Sequence, residues 1–318
     1  MCNNMTSTTR QIMTGVPQGG VLSPLLFSLF MNDLPGEFPE PENVLIYADD
    51  VKIILYGNND QDLTTEVENT YFLMKNWCSK NNLSLNTEKS SIMVFSLGMG
   101  LELNSIKLEN RVFLPKQEHK DLGVKFDPKL NFKNHISELN SRLRRTLGII
   151  WRQYNSYCGT QLMKTLYYAL IQPIFDYGLI IWGISASSNQ IFLRATHKRF
   201  IKMVLGIHGY AHAGSYEDLA RRANILTLDS RRIYLATSLL YDIIHANDSS
   251  HYNIRFLTHN YDLRTRPGFQ PGVNRLNIYS RGIVSIVHQY LSQHTYLDIN
   301  ITDKKQFLCN LKKSLLQI

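Results

Sequence analysis

The sequence predicts an α+β protein, in which an antiparallel sheet with packed helices precedes a mostly helical remainder. Three observations support this class. Short apolar runs alternate with helical patterns from Gly15 to Phe126. Beyond His135 the apolar residues recur at helical spacing, with Arg, Lys, Tyr and Trp among them. The pattern of apolar residues changes from short runs to helical spacing near Pro128–Asn134, so a domain boundary is expected there although no Gly/Ser linker is present.

The first helix and the first hairpin have local causes. Ser23 and Pro24 predict a helix start, because Ser caps a helix well and Pro at the first helical position loses no hydrogen bond. Most residues from there to Met31 are apolar, so this helix is expected to be buried nearly all round. Two apolar runs, 44–47 and 51–56, predict a β-hairpin with Asp49 and Asp50 at its tip.

The remaining elements follow from the same periodicities. Asp60 is expected to cap a helix that runs to about Lys80. Further strands are expected at Leu83–Leu85, Ile92–Phe95 and Leu122–Phe126. The second half predicts helices at His135–Gln153, Gln161–Trp182, Gln190–Leu205, Ser215–Ala223, Ser230–Ala246, Arg281–Ser292 and Thr302–Leu316.

Composition excludes several classes of protein. With 44% hydrophobic and 19% charged residues over 318 positions, the chain is neither disordered nor collagen-like. The four scattered cysteines predict neither a disulfide framework nor a zinc site. The N-terminus is polar and no apolar run could span a bilayer, so an intracellular protein, nuclear or cytoplasmic, is expected, not secreted and without a membrane partner. A net charge of +8 favours polyanionic partners.

The aspartate pair at the hairpin tip needs an explanation. Adjacent carboxylates repel each other, and a tight turn would ordinarily use Asn-Gly or Asp-Gly. A bound divalent cation resolves this conflict, because Mg²⁺ prefers hard oxygen ligands and neutralises the local charge. On the pair alone, the alternative is a solvated turn, in which Asp is common.

The surroundings of the pair resemble the motifs of reverse transcriptases. Residues 15–24, Gly-Val-Pro-Gln-Gly-Gly-Val-Leu-Ser-Pro, resemble motif B, and residues 47–50, Tyr-Ala-Asp-Asp, resemble the catalytic Tyr-x-Asp-Asp box. Asn86–Lys89 is similar to motif D, and Leu122–Val124 to the strand that follows it. Downstream, the chain resembles the thumb and post-thumb region of animal non-LTR retrotransposon polymerases at Leu170–Gly178, at Arg194–Gly206 and in the tail 261–316.

This resemblance implies RNA-templated DNA synthesis by two-metal nucleotidyl transfer. The implied cofactor is Mg²⁺, with Mn²⁺ as a substitute, and the implied partners are an RNA template, a DNA primer and deoxynucleoside triphosphates. Asp49 and Asp50 would be catalytic metal ligands, and Tyr47 would shape the tip beside the primer end. Lys89 would protonate the leaving pyrophosphate, a solvated charge being the alternative.

The glycine-rich loop has an implied role in binding the nucleotide and template. Gly19 and Gly20 would let the backbone approach these ligands closely, which a Cβ would obstruct. Gln18 would hydrogen-bond near the template or the nucleotide. The alternative for the glycines is a plain loop before a helix.

The implied domains are a partial palm at 1–128, a helical thumb at 129–206 and a helical post-thumb region at 207–318. The family's upstream catalytic Asp has no counterpart, because no Asp or Glu precedes Gly15 and the first acidic residue is Asp33. The chain is therefore expected to be a C-terminal fragment that lacks the fingers, the first palm strands and an endonuclease portion, and to be inactive alone. The alternative is a catalytically dead relic that acts at most as a basic nucleic-acid-binding module.

The first helices of the second half are strongly basic. Between residues 142 and 199 the chain has eight Arg and Lys residues and one acidic residue, Asp176. A thumb must hold a template–primer duplex, so some of these residues are expected to contact phosphates. A solvated helix face over a core is the alternative, and most of the interleaved aromatic residues are expected to lie in that core. The candidates for phosphate contacts are Arg144, Arg145, Lys198 and Arg199.

Overall fold

The computed structural model describes residues 15–96, 105–154, 159–207, 214–245, 283–294, 297–299 and 301–317. These residues form two compact units. The first comprises residues up to 94 together with 105–116, and the second comprises 95–96 and the residues from 117 onward. The division into domains at 128 and 206 stays a prediction.

The first unit combines two helices with two β-hairpins. Each hairpin is its own two-stranded antiparallel sheet. The elements are α1 (Ser23–Met31), β1 (Val44–Tyr47), β2 (Asp50–Ile53), α2 (Asp60–Lys80), β3 (Ile106–Leu108) and β4 (Arg111–Phe113), with 3₁₀ turns at Leu34–Glu37 and Pro41–Asn43.

Two apolar clusters hold this unit together. In the first, Trp77 of α2 packs with Met31 of α1 and Val44 of β1. The indole nitrogen of Trp77 donates a hydrogen bond to Asp33 Oδ1 at 3.2 Å, which ties α2 to the end of α1. The second cluster packs the β3–β4 hairpin on the N-terminal half of α2. Asn59, not Asp60, caps α2, because its side chain accepts the backbone N–H of Asp62 at 2.8 Å.

Two expectations for this unit are wrong. The first helix is not buried all round, because only one side packs on the cluster and the opposite apolar side chains are exposed, among them Leu25, Leu26 and Leu29. Residues 83–85 and 92–95 are not strands. Ile92 accepts one backbone hydrogen bond from Lys116, and no ladder forms there among the described residues.

The second unit opens with a short hairpin and continues as a helical assembly. The hairpin turns at Leu122 and Gly123, which both have positive φ, as a type I′ turn requires. The strand predicted at Leu122–Phe126 is therefore shorter. The elements are β5 (His119–Asp121), β6 (Val124–Phe126), α3 (Lys133–Tyr154), α4 (Thr160–Leu166), a π-helical turn (Tyr167–Ile171), α5 (Gln172–Asp176), α6 (Leu179–Trp182), α7 (Ser187–Val204), α8 (Tyr216–Ala223), α9 (Leu228–His245), α10 (Ile283–Gln293) and α11 (Lys304–Gln317).

The helix predicted over 161–182 is interrupted. Pro173 lacks the N–H of a regular α-helix and crowds the preceding turn, and the chain just before it widens into the π-helical turn. Gly178 then breaks the helix with φ +67°, and a Cβ there would approach Val124 Cγ2 to 2.9 Å. The single predicted helix is therefore three short ones joined by a π-turn and a left-handed residue.

Two apolar clusters also form the core of the second unit. One joins α3–α8 and contains Tyr167 and Trp182. Among the interleaved aromatic residues whose side chains the structure describes, these two lie in the core as expected, whereas Trp151 and Tyr168 are exposed. The other joins α9, α10 and α11 around Phe307. Mixed helices and small antiparallel hairpins confirm the α+β class, although the strands pair as three separate hairpins. Within the described ranges, every helix is too short or too polar to cross a bilayer.

Candidate functional site

The β1–β2 hairpin presents the aspartate pair at its tip. Tyr47 pairs with Asp50, which leaves Ala48 and Asp49 as the two turn residues. Ala48 has φ +53°, a left-handed conformation that costs a residue with a Cβ about 1 kcal/mol. Tyr47, Asp49 and Asp50 are all exposed, so both carboxylates face solvent.

The base of the hairpin is anchored in the core. Val44 is buried, and Ile46, Val51 and Ile53 pack against the same apolar cluster as Phe27 of α1. This alternation follows from the two-residue period of a strand, which places every second side chain on the core face. The apolar residues therefore fix the hairpin, while its polar tip stays accessible.

The glycine-rich loop before α1 is held by a network around one carbonyl. The Pro17 carbonyl accepts the Gly20 N–H at 3.2 Å and the Ser23 hydroxyl at 2.6 Å. Gly19 has φ +80°, and a Cβ on Gly20 would lie 2.6 Å from Ser23 Oγ. Gln18 is exposed at the top of the loop.

Ser23 therefore has a different role from the one that the sequence predicts. It is the first residue of α1, with Leu22 in the cap position, and the cap residue makes no side-chain hydrogen bond. The Ser23 hydroxyl holds the loop to the helix instead of capping the helix.

Lys89 follows a hydrogen-bonded turn. The Asn86 side-chain oxygen accepts the N–H groups of Glu88 at 3.2 Å and of Lys89 at 3.1 Å. The Asn86 carbonyl accepts the Ser90 N–H at 3.1 Å. This Asx turn fixes the backbone at Lys89, whose side chain is exposed.

The donor chemistry of the hairpin tip fits a divalent cation only in part. Asp49 and Asp50 supply hard carboxylate oxygens, which Mg²⁺ and Mn²⁺ prefer. In the described ranges, no group of three or more His, Cys, Asp and Glu side chains is placed to hold a metal ion. The pair is thus an incomplete set of ligands.

The second unit brings two of the four predicted phosphate-binding residues together. Arg144 of α3 and Arg199 of α7 both line a cleft of about 440 Å³. Arg145 is exposed and does not line this cleft. Lys198 also lies outside it, and its ammonium group donates a hydrogen bond to the Gly214 carbonyl at 3.2 Å.

Phe192, an aromatic residue of this cleft, was not predicted from the sequence. A signal existed, because Phe192, Ala195, Thr196 and Arg199 share one face of α7 at i, i+3, i+4 and i+7. On α3 the lining residues follow the same rule and end at Trp151. The partner face could not be identified from the sequence, because it depends on how α3 packs against α7.

A second cleft in this unit, of about 640 Å³, has mixed charge. Lys120, Arg142 and Glu138 all line it. His135 lies in its wall, and burial lowers the pKa of this imidazole, which favours the neutral form. Because both signs of charge meet here, this cleft is less suited to a polyanion than the first one.

The chain is similar to known polymerases of mobile elements. Residues 1–126 match the family model of the reverse transcriptase (RNA-dependent DNA polymerase). The RNA-directed DNA polymerase from mobile element jockey of Drosophila melanogaster is 28% identical over 221 residues, which cover 66% of this chain and 24% of that protein. The probable RNA-directed DNA polymerase from transposon BS of the same species is 27% identical over 237 residues, 72% of this chain and 26% of that protein. No solved structure matches the chain.

These matches confirm the resemblance to reverse transcriptases seen in the motifs, and the family match lies in residues 1–126. A third relative, the probable RNA-directed DNA polymerase from transposon X-element of Drosophila melanogaster, is 26% identical over 63% of this chain and 22% of that protein. Together these relatives support the resemblance to reverse transcriptases of the non-LTR retrotransposon type. The chain spans about a quarter of the length of these relatives.

Proposed function

We propose that this chain is part of an enzyme for RNA-templated DNA synthesis, with nucleotidyl transfer at the tip of the β1–β2 hairpin. The observation that carries the proposal is the placement of Asp49 and Asp50, exposed on a hairpin whose base is fixed in the core. The reverse transcriptase match includes this hairpin. Its substrates would be deoxynucleoside triphosphates, an RNA template and a DNA primer.

The side chains at the tip would act together on the primer end. Asp49 and Asp50 would hold Mg²⁺ or Mn²⁺, which supplies activation of the primer 3′-hydroxyl and neutralisation of the triphosphate charge. The exposed ring of Tyr47, directly opposite Asp50 in the hairpin, would position the primer terminus. Lys89 would donate a proton to the leaving pyrophosphate.

The loop before α1 would contribute its backbone. A Cβ on Gly19 would meet no atom within 4 Å, so the backbone there would allow close approach of a nucleotide or a template base. A Cβ on Gly20 would instead lie 2.6 Å from Ser23 Oγ, so Gly20 would act by letting the loop close on α1 through the hydrogen bonds to the Pro17 carbonyl. Gln18, at the exposed end of the loop, would hydrogen-bond to that ligand.

In this proposal the first part of the chain, to residue 128, contributes a palm, residues 129–206 a thumb, and 207–318 a post-thumb region. The thumb would hold the template–primer duplex by its phosphates, through Arg144, Arg145, Lys198 and Arg199. Arginine and lysine neutralise phosphate charge and release counterions, which makes such binding dependent on salt.

We expect no primer extension by this chain alone. Among the residues that the structure describes, no third ligand joins Asp49 and Asp50, and two carboxylates alone would hold a metal ion weakly and position it poorly. The test is extension of an oligo(dT) primer on poly(A) with dTTP and either Mg²⁺ or Mn²⁺. Product that appears with this chain, and vanishes in the Asp49→Ala variant, would overturn the expectation. The catalytic proposal itself is tested by adding the chain to a polypeptide that supplies an upstream carboxylate strand. Extension that depends on Asp49 would support it.

The second candidate is a basic nucleic-acid-binding module without chemistry. Between residues 142 and 199 there are eight cationic residues and one acidic residue, and this positive charge favours it. The two candidates differ in one measurement. If nucleic acid binds but the complemented assay shows no extension that depends on Asp49, the module is the correct description.

A further inference from the structure

The cleft between α3 and α7 combines charge with aromatic surface. Its volume of about 440 Å³ is within the range of small-ligand pockets. Arg144 and Trp151 contribute from α3, and Phe192 and Arg199 from α7. Each wall thus offers one guanidinium group and one aromatic ring.

The two arginines of the cleft are available for an anion. Both are exposed, and no acidic side chain is among the residues that line the cleft. Nearby arginines of the same unit behave differently: Arg194 forms an ion pair with Asp229 at 2.7 Å, and Arg231 one with Asp176 at 2.7 Å. Within the described part of the chain, neither cleft arginine has such a carboxylate partner, so the cleft keeps its positive charge.

The aromatic residues of the cleft are exposed to an unusual degree. Phe192 is 74% exposed and Trp151 is 39% exposed, whereas Trp77 and Trp182 are 1% and 0% exposed. Leaving an aromatic ring in water forgoes the free energy of burying it. A flat apolar surface beside two guanidinium groups is the combination that proteins use to hold unpaired bases and their phosphates.

Two of the residues that line the cleft are small, Gly148 on α3 and Ala195 on α7. A Cβ built on Gly148 would meet no atom within 4 Å. A larger side chain at Gly148 would therefore enter open space instead of clashing with the core. Gly148 is therefore the position chosen for a substitution that narrows the cleft.

We propose that this cleft binds an unpaired nucleotide of a single-stranded nucleic acid. The base stacks on Trp151 or Phe192, and the adjacent phosphates pair with Arg144 and Arg199. A duplex cannot occupy the cleft in this way, because its bases are already stacked and paired. In this inference Arg144 and Arg199 bind an unpaired strand instead of the duplex phosphates proposed for them above. The binding requires neither Asp49 nor Asp50, so it goes beyond the proposed polymerase reaction and is tested separately from it.

The experiment measures binding of the full chain to oligo(dT), to oligo(U) and to a DNA duplex of equal length, by fluorescence anisotropy at several salt concentrations. Tryptophan emission is recorded in parallel. Because Trp77 and Trp182 are buried, quenching by nucleic acid reports on Trp151. We expect both single strands to quench this emission and to bind more tightly than the duplex. A preference between oligo(dT) and oligo(U) identifies the strand.

The variants distinguish binding in the cleft from non-specific attraction of nucleic acid to positive charge. Arg144→Ala and Arg199→Ala are expected to weaken single-strand binding about tenfold each and to reduce the salt slope by about 0.7. Trp151→Ala is expected to weaken it about tenfold, and Trp151→Phe much less, because stacking is retained. Gly148→Leu is expected to abolish quenching while circular dichroism stays unchanged.

Arg145→Ala is the matched control, because it removes the same charge one residue outside the cleft. Its loss of affinity is expected to be smaller and equal for duplex and single strand. The proposal is overturned if Arg145→Ala and Arg144→Ala have the same effect, if the duplex binds as well as the single strands, or if Gly148→Leu still binds and is still quenched. If Arg144→Ala or Arg199→Ala unfolds, Arg144→Lys or Arg199→Lys takes its place. Lysine keeps the positive charge but loses the forked contact to phosphate.

Discussion

Replacing Tyr216 by Phe removes one hydroxyl from a buried chain of hydrogen bonds in the second unit. His197 is 2% exposed. Its Nε2 lies 2.9 Å from the Tyr167 hydroxyl, and its Nδ1 lies 2.5 Å from the Tyr216 hydroxyl. The same Tyr216 oxygen accepts the Leu228 N–H at 3.0 Å. A neutral imidazole satisfies this arrangement, because it donates through one nitrogen and accepts through the other.

The expected loss follows from the groups left without a partner. Tyr216→Phe strands both His197 Nδ1 and the Leu228 N–H, and each unsatisfied buried group costs about 1–3 kcal/mol, so about 2–4 kcal/mol of the free energy of unfolding is expected to be lost. Tyr167→Phe strands only Nε2 and is expected to cost about 1–2 kcal/mol. Urea unfolding followed by circular dichroism measures both. The reasoning is refuted if Tyr216→Phe costs less than Tyr167→Phe.

The same network predicts sensitivity to acid. Burial lowers the pKa of His197 to about 3, whereas the unfolded chain titrates near 6.5. The unfolded state therefore binds the proton first, so stability is complete above about pH 6.5 and is lost progressively as the pH falls toward 3, by at most about 5 kcal/mol.

The control is His197→Gln, which keeps a donor and an acceptor but does not titrate. Its stability should fall less between pH 6.5 and the acid limit. The acid sensitivity that persists would come in part from His135, whose pKa burial also lowers, and from carboxylates. An identical pH dependence in the two proteins would show that His197 does not stay neutral in the folded state.

Three further changes test other parts of the structure. Asp176 accepts hydrogen bonds from Arg231 at 2.7 and 2.9 Å, and both side chains are 19% exposed. Asp176→Asn is therefore expected to lower the free energy of unfolding in urea by about 2–3 kcal/mol, and a loss below about 1 kcal/mol would contradict a tight pair. Gly19→Ala is expected to lower the free energy of unfolding by about 1 kcal/mol, because Gly19 has φ +80° and Ala is strained there. Unfolding is followed by the emission of Trp77, and an unchanged unfolding midpoint would show that the loop relaxes. Ala48→Gly removes a left-handed Ala and is expected to raise stability by about 0.5 kcal/mol in the same assay, while a loss would mean that the entropy of Gly outweighs the strain.

Much of the fold was predictable because its patterns are local. The helix expected at 135–153 extends over Lys133–Tyr154, and the hairpin expected around Asp49 pairs Val44 with Ile53. Spacing of apolar residues and turn chemistry depend only on near neighbours in the chain, so they can be seen without the structure. The prediction of strands at 83–85 and 92–95 was wrong, because a strand forms only when a partner strand supplies its hydrogen bonds.

Some features of the candidate site could likewise be predicted from the sequence, and others could not. The order and spacing of residues 15–24 and 47–50 are local features of the sequence, and they are enough to indicate the resemblance to reverse transcriptases. The conformation of Ala48 and the hydrogen bond from Ser23 to the Pro17 carbonyl were not visible, since both depend on the folded loop.

The sequence by itself indicated the family that this chain resembles and the residues to consider as catalytic, because the motifs are short, contiguous and chemically specific. It also determined the basic character of the helical half. Only the tertiary structure decided which of those basic residues act together. Arg144 and Arg199 are 55 positions apart and meet because α3 packs on α7, while Arg145 points out of the cleft they form. A helix face chooses its partner through packing between distant segments, and no local pattern records that choice.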